Sequence, residues 1–241
     1  MTIPTAEMNI LSVTNDKQAS SNRLFVNQPL YKQFLAQNKQ ESPVYVTLKK
    51  SVFQLECDPT TDAGGFRISG VQRKFLKLSA TMDRPELSLY KVPPVNMMLE
   101  KMSVDVICPT IKDKKVTVDQ EILLNAFKKS YTAHFVSNGH QIFQVIEVPD
   151  FGPLQVIYIV QQMTYFNEKI GTKLSIACIS DDTDVEFTSR TTGCRLKSMN
   201  AKGKDVFVKN FDFSQLDIGG LDNQLADIFR RAFSSRRMPQ W

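Results

Sequence analysis

The sequence is poor in the residues that side-chain catalysis draws on. Its 241 residues include two histidines, four cysteines and one tryptophan. The histidines, His134 and His140, flank an Asn138-Gly139 turn. A zinc protease motif needs two histidines on one helical turn with a glutamate between them, and no such group occurs. His134 and His140 therefore read as a helix-end and a turn histidine. There is no Gly-x-Ser-x-Gly elbow for a serine nucleophile. The single Gly-Lys pair, Gly203-Lys204, has Ser198 where a phosphate-binding loop would have its first glycine, so that loop is absent too. No catalytic residue, no metal site and no cofactor is assigned within this stretch of chain.

Other absences narrow the class. Cys57, Cys108, Cys178 and Cys194 contain no Cys-x-x-Cys pair and are too sparse for a disulfide framework, so they read as reduced, packed thiols of an intracellular protein. The longest apolar run is Val156-Ile157-Tyr158-Ile159-Val160, far short of the ~20 residues a membrane helix needs. Met1 to Asn15 lacks the basic start and apolar stretch of a secretory signal, and no Asn-x-Ser/Thr sequon occurs. Direct membrane insertion is not expected. At 42 % hydrophobic and 23 % charged, the composition is that of a chain able to bury a core.

What is present is a mild basic surplus, net charge +5, unevenly spread. Residues 1–95 carry twelve basic and eight acidic side chains, and residues 96–199 carry eleven and twelve. Two clusters stand out: Arg73, Lys74 and Lys77, and Lys112, Lys114 and Lys115. Both fall in stretches that read as loops beside strands. Such patches steer acidic partners with salt-sensitive rates, although a solvated face is the ordinary fate of a charge run. Nucleic acid is the weaker reading, because no aromatic residues interleave with these clusters and no nucleic-acid-binding motif is present.

The first third of the chain reads as β. Tyr45 to Leu48 and Val52 to Cys57 are β-branched and aromatic runs separated by Lys49-Lys50-Ser51, the pattern of a tight hairpin. Leu24 to Val26 and Glu86 to Val92 are further strands, and Asp58 to Gly65 is a loop. Pro29 to Gln37 reads as a helix with proline in its first turn. Pro93-Pro94 breaks the pattern and marks a boundary. Beyond it, Met102, Val104 and Val106 alternate as a strand. Thr117 and Gln120 have capping-box spacing for a helix whose Leu123, Phe127 and Tyr131 share one face. Gln141 to Val148, Gln155 to Gln162 and Leu174 to Ser180 are strands. Thr188 to Lys204 loses apolar periodicity and reads as a linker. The last helix, with Leu221, Leu225, Ile228, Phe229, Ala232 and Phe233 on a wide apolar stripe, has no evident core to cover.

The C-terminal segment carries a resemblance. Asp217-Ile218-Gly219-Gly220-Leu221-Asp222, followed by Ile228-Phe229-Arg230-Arg231-Ala232-Phe233, resembles the start of the first ATPase domain in the N-ethylmaleimide-sensitive fusion protein (NSF) family of AAA ATPases. The Gly-Gly-Leu portion is shared by many AAA ATPases, whereas the Ile-Phe-Arg-Arg-Ala-Phe run is specific to the NSF branch. Gln72-Arg73-Lys74-Phe75 is similar to a Gln-Arg-Lys-aromatic stretch in that family's amino-terminal domain, with Val71 where a proline usually precedes it. The resemblance implies a mixed β and α+β fold: a double-psi β-barrel subdomain over 1–93, an α+β subdomain over 94–199, then over 200–241 a linker and the truncated start of an AAA domain. It implies a non-enzymatic segment of a longer ATPase that binds the SNAP adaptor and, through it, the SNARE complex. The acidic end of the adaptor would meet Arg73, Lys74, Lys77, Lys112, Lys114 and Lys115. Ile218, Gly219 and Gly220 would approach adenine in the intact ATPase. ATP and Mg, a homohexameric assembly and a cytoplasmic location peripheral to membranes are implied for the full-length protein. The alternative is the same architecture in a valosin-containing-type ATPase, binding ubiquitin-like cofactors between its subdomains.

Overall fold

The computed structural model describes residues 7–92, 97–111, 116–149, 151–165, 175–189 and 195–197. The chain divides into two units, Met1–Met199 and Asn200–Trp241, and the description below concerns the first. The proposed boundary at Pro93-Pro94 and the whole 200–241 segment lie outside the described residues.

The described unit is β-rich, with fourteen strands and four helices among its described residues. Its first lobe contains β1 (Asn9–Ser12), α1 (Asp16–Ser20), β2 (Arg23–Val26), α2 (Gln28–Gln37), β3 (Tyr45–Leu48), β4 (Ser51–Cys57), β5 (Gly65–Ile68), α3 (Gly70–Phe75) and β6 (Leu87–Leu89). The strands form one sheet in the order β1-β5-β2-β4-β3-β6. The hairpin β3–β4 closes through Lys49 and Lys50, with Leu48 paired to Ser51 and Lys49 at φ +54°. Parallel pairs β1–β5 and β2–β4 interrupt the antiparallel pattern, which is why the topology was invisible to local turn signals. Gly65 sits where β5 meets β1 so closely that a Cβ would lie 2.9 Å from Leu11 Cδ1. Leu24, Val26, Phe34, Val46, Leu48, Phe53, Leu55, Phe66 and Ile68 fill the lobe's core.

The second lobe contains β7 (Leu99–Ile107), β8 (Thr117–Asp119), α4 (Gln120–Tyr131), β9 (Phe135–Ser137), β10 (Gln141–Val148), β11 (Gly152–Tyr165), β12 (Ile176–Cys178), β13 (Asp184–Thr188) and β14 (Arg195–Lys197). Its main sheet runs β10-β11-β7-β13, and β10–β11 is a regular antiparallel hairpin. Helix α4 buries Leu123, Phe127 and Tyr131 on one face, the period the sequence predicts. Phe127 sits at the centre of an aromatic cluster, edge-on to Tyr131, Tyr158 and Phe187 at 5.1, 5.0 and 6.0 Å.

Two local expectations fail for the same reason. Thr117 does not cap α4, because Thr117–Asp119 pairs with Arg195–Lys197 in a parallel ladder. The cap is Asp119, whose side chain accepts from the Glu121 N–H at 2.9 Å. The same ladder places a short strand inside the stretch expected to be a linker. No helix among the described residues is long and apolar enough to cross a membrane.

Phe127 is fully buried against three rings, so Phe127→Ala leaves a cavity the lobe cannot collapse. A loss of about 3–5 kcal/mol is expected. Urea unfolding monitored by circular dichroism measures it, and a midpoint equal to wild type would remove Phe127 from the core.

Candidate functional site

The Arg73–Lys77 cluster sits on a helix and its exit turn, where the sequence predicts a loop. Helix α3 begins at Ser69, whose hydroxyl accepts from the Gln72 N–H while the Gln72 side chain accepts from the Ser69 N–H, a reciprocal capping box. Arg73 and Lys74 occupy its last turn, where cations complement the exposed carbonyl end of a helix. The chain then leaves through Lys77 at φ +52°. The N–H groups of Lys77 and Leu78 donate to the carbonyls of Lys74 and Arg73.

A residue the sequence does not flag holds this turn. Lys49, at the tip of the β3–β4 hairpin, donates from Nζ to the Leu76 and Lys77 carbonyls at 3.0 and 3.3 Å. Lys49 thereby joins Arg73, Lys74 and Lys77 in one cationic surface, and Lys50 is its neighbour in the hairpin turn. Arg73 is half-buried, while Lys74 and Lys77 are exposed. Among the described residues no carboxylate forms an ion pair with any of these five. Lys112, Lys114 and Lys115 lie outside the described residues, as do Ile218, Gly219 and Gly220, so neither cluster is placed relative to α3.

The same helix also faces the seam between the lobes. Gln72 is buried and donates from Nε2 to Asn22 Oδ1 at 2.8 Å, and His140 Nε2 lies 3.2 Å from the same oxygen. An oxygen shared in this way accepts both bonds, so His140 carries a proton on Nε2, and its fully buried Nδ1, with no hydrogen-bond partner, favours the neutral ring. Phe75 of α3 packs on the His140 ring at 5.0 Å and Phe53 of β4 at 5.4 Å. Beside them, Tyr131 Oη donates to the Ser20 carbonyl at 2.7 Å, His134 Nε2 lies 3.2 Å from the Ser21 carbonyl, and Val145 N donates to Ser20 Oγ at 3.3 Å. Tyr45 Oη reaches the Ala133 carbonyl at 2.8 Å. His134 and His140 are thus seam residues that join the lobes; their positions after α4 and in the Asn138-Gly139 turn only deliver them there.

Chemically, these groups hold the seam together. His140 is fully buried and burial pushes its pKa down to about 3, with the neighbouring His134 acting in the same direction. Burial also lowers the pKa of His134. Burial thus moves both away from neutrality, the opposite of the tuning that acid–base catalysis calls for. Burial pushes the Cys178 thiol up to about 11, away from nucleophilic thiolate character. Among the described residues no group of three or more His, Cys, Asp or Glu side chains is placed to hold a metal ion.

No protein-family model matches the chain. It is 27 % identical over 179 residues to a vesicle-fusing ATPase from Arabidopsis thaliana, an alignment covering 73 % of this chain and 23 % of that protein. A 34-residue stretch is 56 % identical to a vesicle-fusing ATPase from Dictyostelium discoideum, covering 14 % of this chain and 5 % of that protein. The chain therefore spans less than a quarter of the length of these curated relatives. The similarity supports an origin related to vesicle-fusing ATPases.

The seam makes stability depend on acidity. His140 is neutral in the fold and titrates near its ordinary 6.5 when unfolded, so the unfolded chain binds the extra proton. Stability is full above about pH 6.5 and falls toward about pH 3 with a slope of at most ~1.4 kcal/mol per pH unit for this one group. His140→Phe keeps the ring contacts and removes the proton. Urea midpoints between pH 7 and pH 5 are expected to fall less steeply in the variant, and an unchanged slope would refute the assignment.

Proposed function

We propose that this chain is the adaptor-binding, amino-terminal portion of an NSF-type vesicle-fusing ATPase. The observation that carries the reading is the similarity to a vesicle-fusing ATPase over 73 % of the chain. The cationic turn gives the reading a physical surface: five Lys and Arg side chains project from α3 and the β3–β4 hairpin with no carboxylate partner among the described residues. In this reading the first subdomain, 1–93, is the double-psi β-barrel, and its parallel pairs β1–β5 and β2–β4 support that mixed topology. The second subdomain is 94–199, and 200–241 leads into the ATPase domain.

The chain itself is non-enzymatic in this proposal. ATP, Mg and the hydrolytic residues belong to the ATPase domains of the full-length hexamer, where Ile218, Gly219 and Gly220 approach adenine. The partner is a SNAP adaptor with an acidic end, and through it the SNARE complex that ATP hydrolysis takes apart. The protein works in the cytoplasm, at membranes only through these partners. Charge contacts across such an interface favour fast, salt-sensitive association that a cycling machine can reverse.

Arg73→Ala/Lys74→Ala is expected to weaken SNAP adaptor binding by about 1–3 kcal/mol, roughly 5- to 150-fold. Titration calorimetry at low and high salt measures it, with the wild-type protein losing affinity as salt rises. Unchanged low-salt affinity would reject the surface. Binding of a ubiquitin-like cofactor with no adaptor binding would favour the valosin-containing type.

A further inference from the structure

A concavity with basic side chains on its rim lies on the seam, built from different side chains than the α3 turn. It is an open cleft of about 450 Å³, inside the ~300–1,000 Å³ range of small-ligand sites. Lys17 of α1 and Arg23 of β2 line it from the first lobe, and Lys129 and Ser130 of α4 from the second. Ser20, Ser21 and Asp16 complete its polar lining. The walls offer ammonium, guanidinium and hydroxyl donors from three separate elements.

Several features make these donors available. Neither Lys17 nor Lys129 forms an ion pair with a described residue. Arg23 spends only one terminal nitrogen, Nη1, on Glu56 at 3.0 Å. The neighbouring carbonyls, which would repel an anion, are engaged within the seam: Ser20 O accepts from Tyr131 Oη and Ser21 O lies against His134 Nε2. Ser130 Oγ is fixed by a bond from Gln144 Nε2 at 2.9 Å. With Asp16 and Glu56 set against Lys17, Arg23 and Lys129, the local balance stays positive.

We propose that this cleft is a binding site for a small phosphate-bearing anion that bridges the two lobes. A carboxylate offers two oxygens in a plane, whereas a phosphate offers acceptors in several directions, as donors from α1, β2 and α4 require. An anion held by Lys17 and Lys129 together ties α1 to α4, so it binds the docked lobes more tightly than separated ones and stabilises the fold by linkage.

The test is thermal unfolding of the full chain in a phosphate series against sodium chloride at matched ionic strength, with wild type, Lys17→Ala/Lys129→Ala and Arg73→Ala/Lys74→Ala. The site predicts a saturable rise in Tm with phosphate beyond that with chloride, kept in the Arg73/Lys74 variant and lost in the Lys17/Lys129 variant. Both lysines are exposed, so the variant is expected to fold, and its Tm without phosphate checks this. Phosphorus-31 line broadening, lost in the same variant, gives a readout independent of stability. Equal effects of phosphate and chloride, or a phosphate effect surviving Lys17→Ala/Lys129→Ala, would overturn the proposal. Loss only in the Arg73/Lys74 variant would overturn it too, placing the anion on the α3 surface. A vesicle series with and without a phosphomonoester headgroup separates the sources. Tighter binding of the headgroup than of free phosphate, lost in the Lys17/Lys129 variant, supports the same site on a lipid; equal binding supports a free phosphate.

Discussion

The described unit depends on a three-residue strap, Ser20 to Asn22, that belongs to the first lobe and is held by the second. Each of the three residues presents a polar group that the second lobe satisfies. Ser20 O takes the Tyr131 hydroxyl, Ser21 O meets His134, and Asn22 Oδ1 takes His140 together with Gln72 from its own lobe. Asn22 adopts φ +54°, a conformation that asparagine tolerates better than most residues. Buried groups of this kind cost little when paired and on the order of 1–3 kcal/mol each when orphaned. The strap thus fixes the lobes directionally, in a way that apolar contact alone would not. A small apolar cluster of Tyr45, Val52, Met97, Phe135 and Cys178 adds burial beside it.

Helix α3 inherits its orientation from this strap. At six residues it is too short to stand alone. One end is closed by the Ser69–Gln72 box, and Gln72 continues into Asn22 and His140. Phe75 lies on the His140 ring, and the far end is tied by Lys49. Arg73 and Lys74 are therefore presented from a helix fastened at both ends. An interface charge is worth more when its position is already fixed, because less entropy is lost on binding.

How much of this was legible in the sequence follows from range. The β3–β4 hairpin, the buried face of α4 and the β10 strand were readable because their signals are periodic and local. The capping box Ser69-x-x-Gln72 was also written in the sequence and went unread, since its helix is one turn and a half with no apolar stripe. Thr117 has the spacing of a cap, but a ladder with residues about eighty positions later claims it. The α3 cations were legible as a cluster, but the contribution of Lys49 depends on a contact spanning 27 residues. The histidines looked incidental because their partners, Asn22 and Ser21, lie more than a hundred residues away. Polar seams leave no periodicity, so sequence reading finds cores before it finds joints.

The strap also links the two cationic regions to one another. Its Asn22 end bears on α3 and the Arg73–Lys77 turn, while its Ser20–Ser21 end forms part of the cleft holding Lys17, Arg23 and Lys129. A group that tightens the seam at the cleft therefore acts on the same hydrogen-bonded strap that orients α3. Ser20 and Asn22 are two residues apart, and the carbonyl or side chain of each is hydrogen-bonded across the seam. Whatever differential free energy an anion gains from docked lobes is the most it can pass to the α3 surface, and any partner at α3 must return the same amount to the cleft.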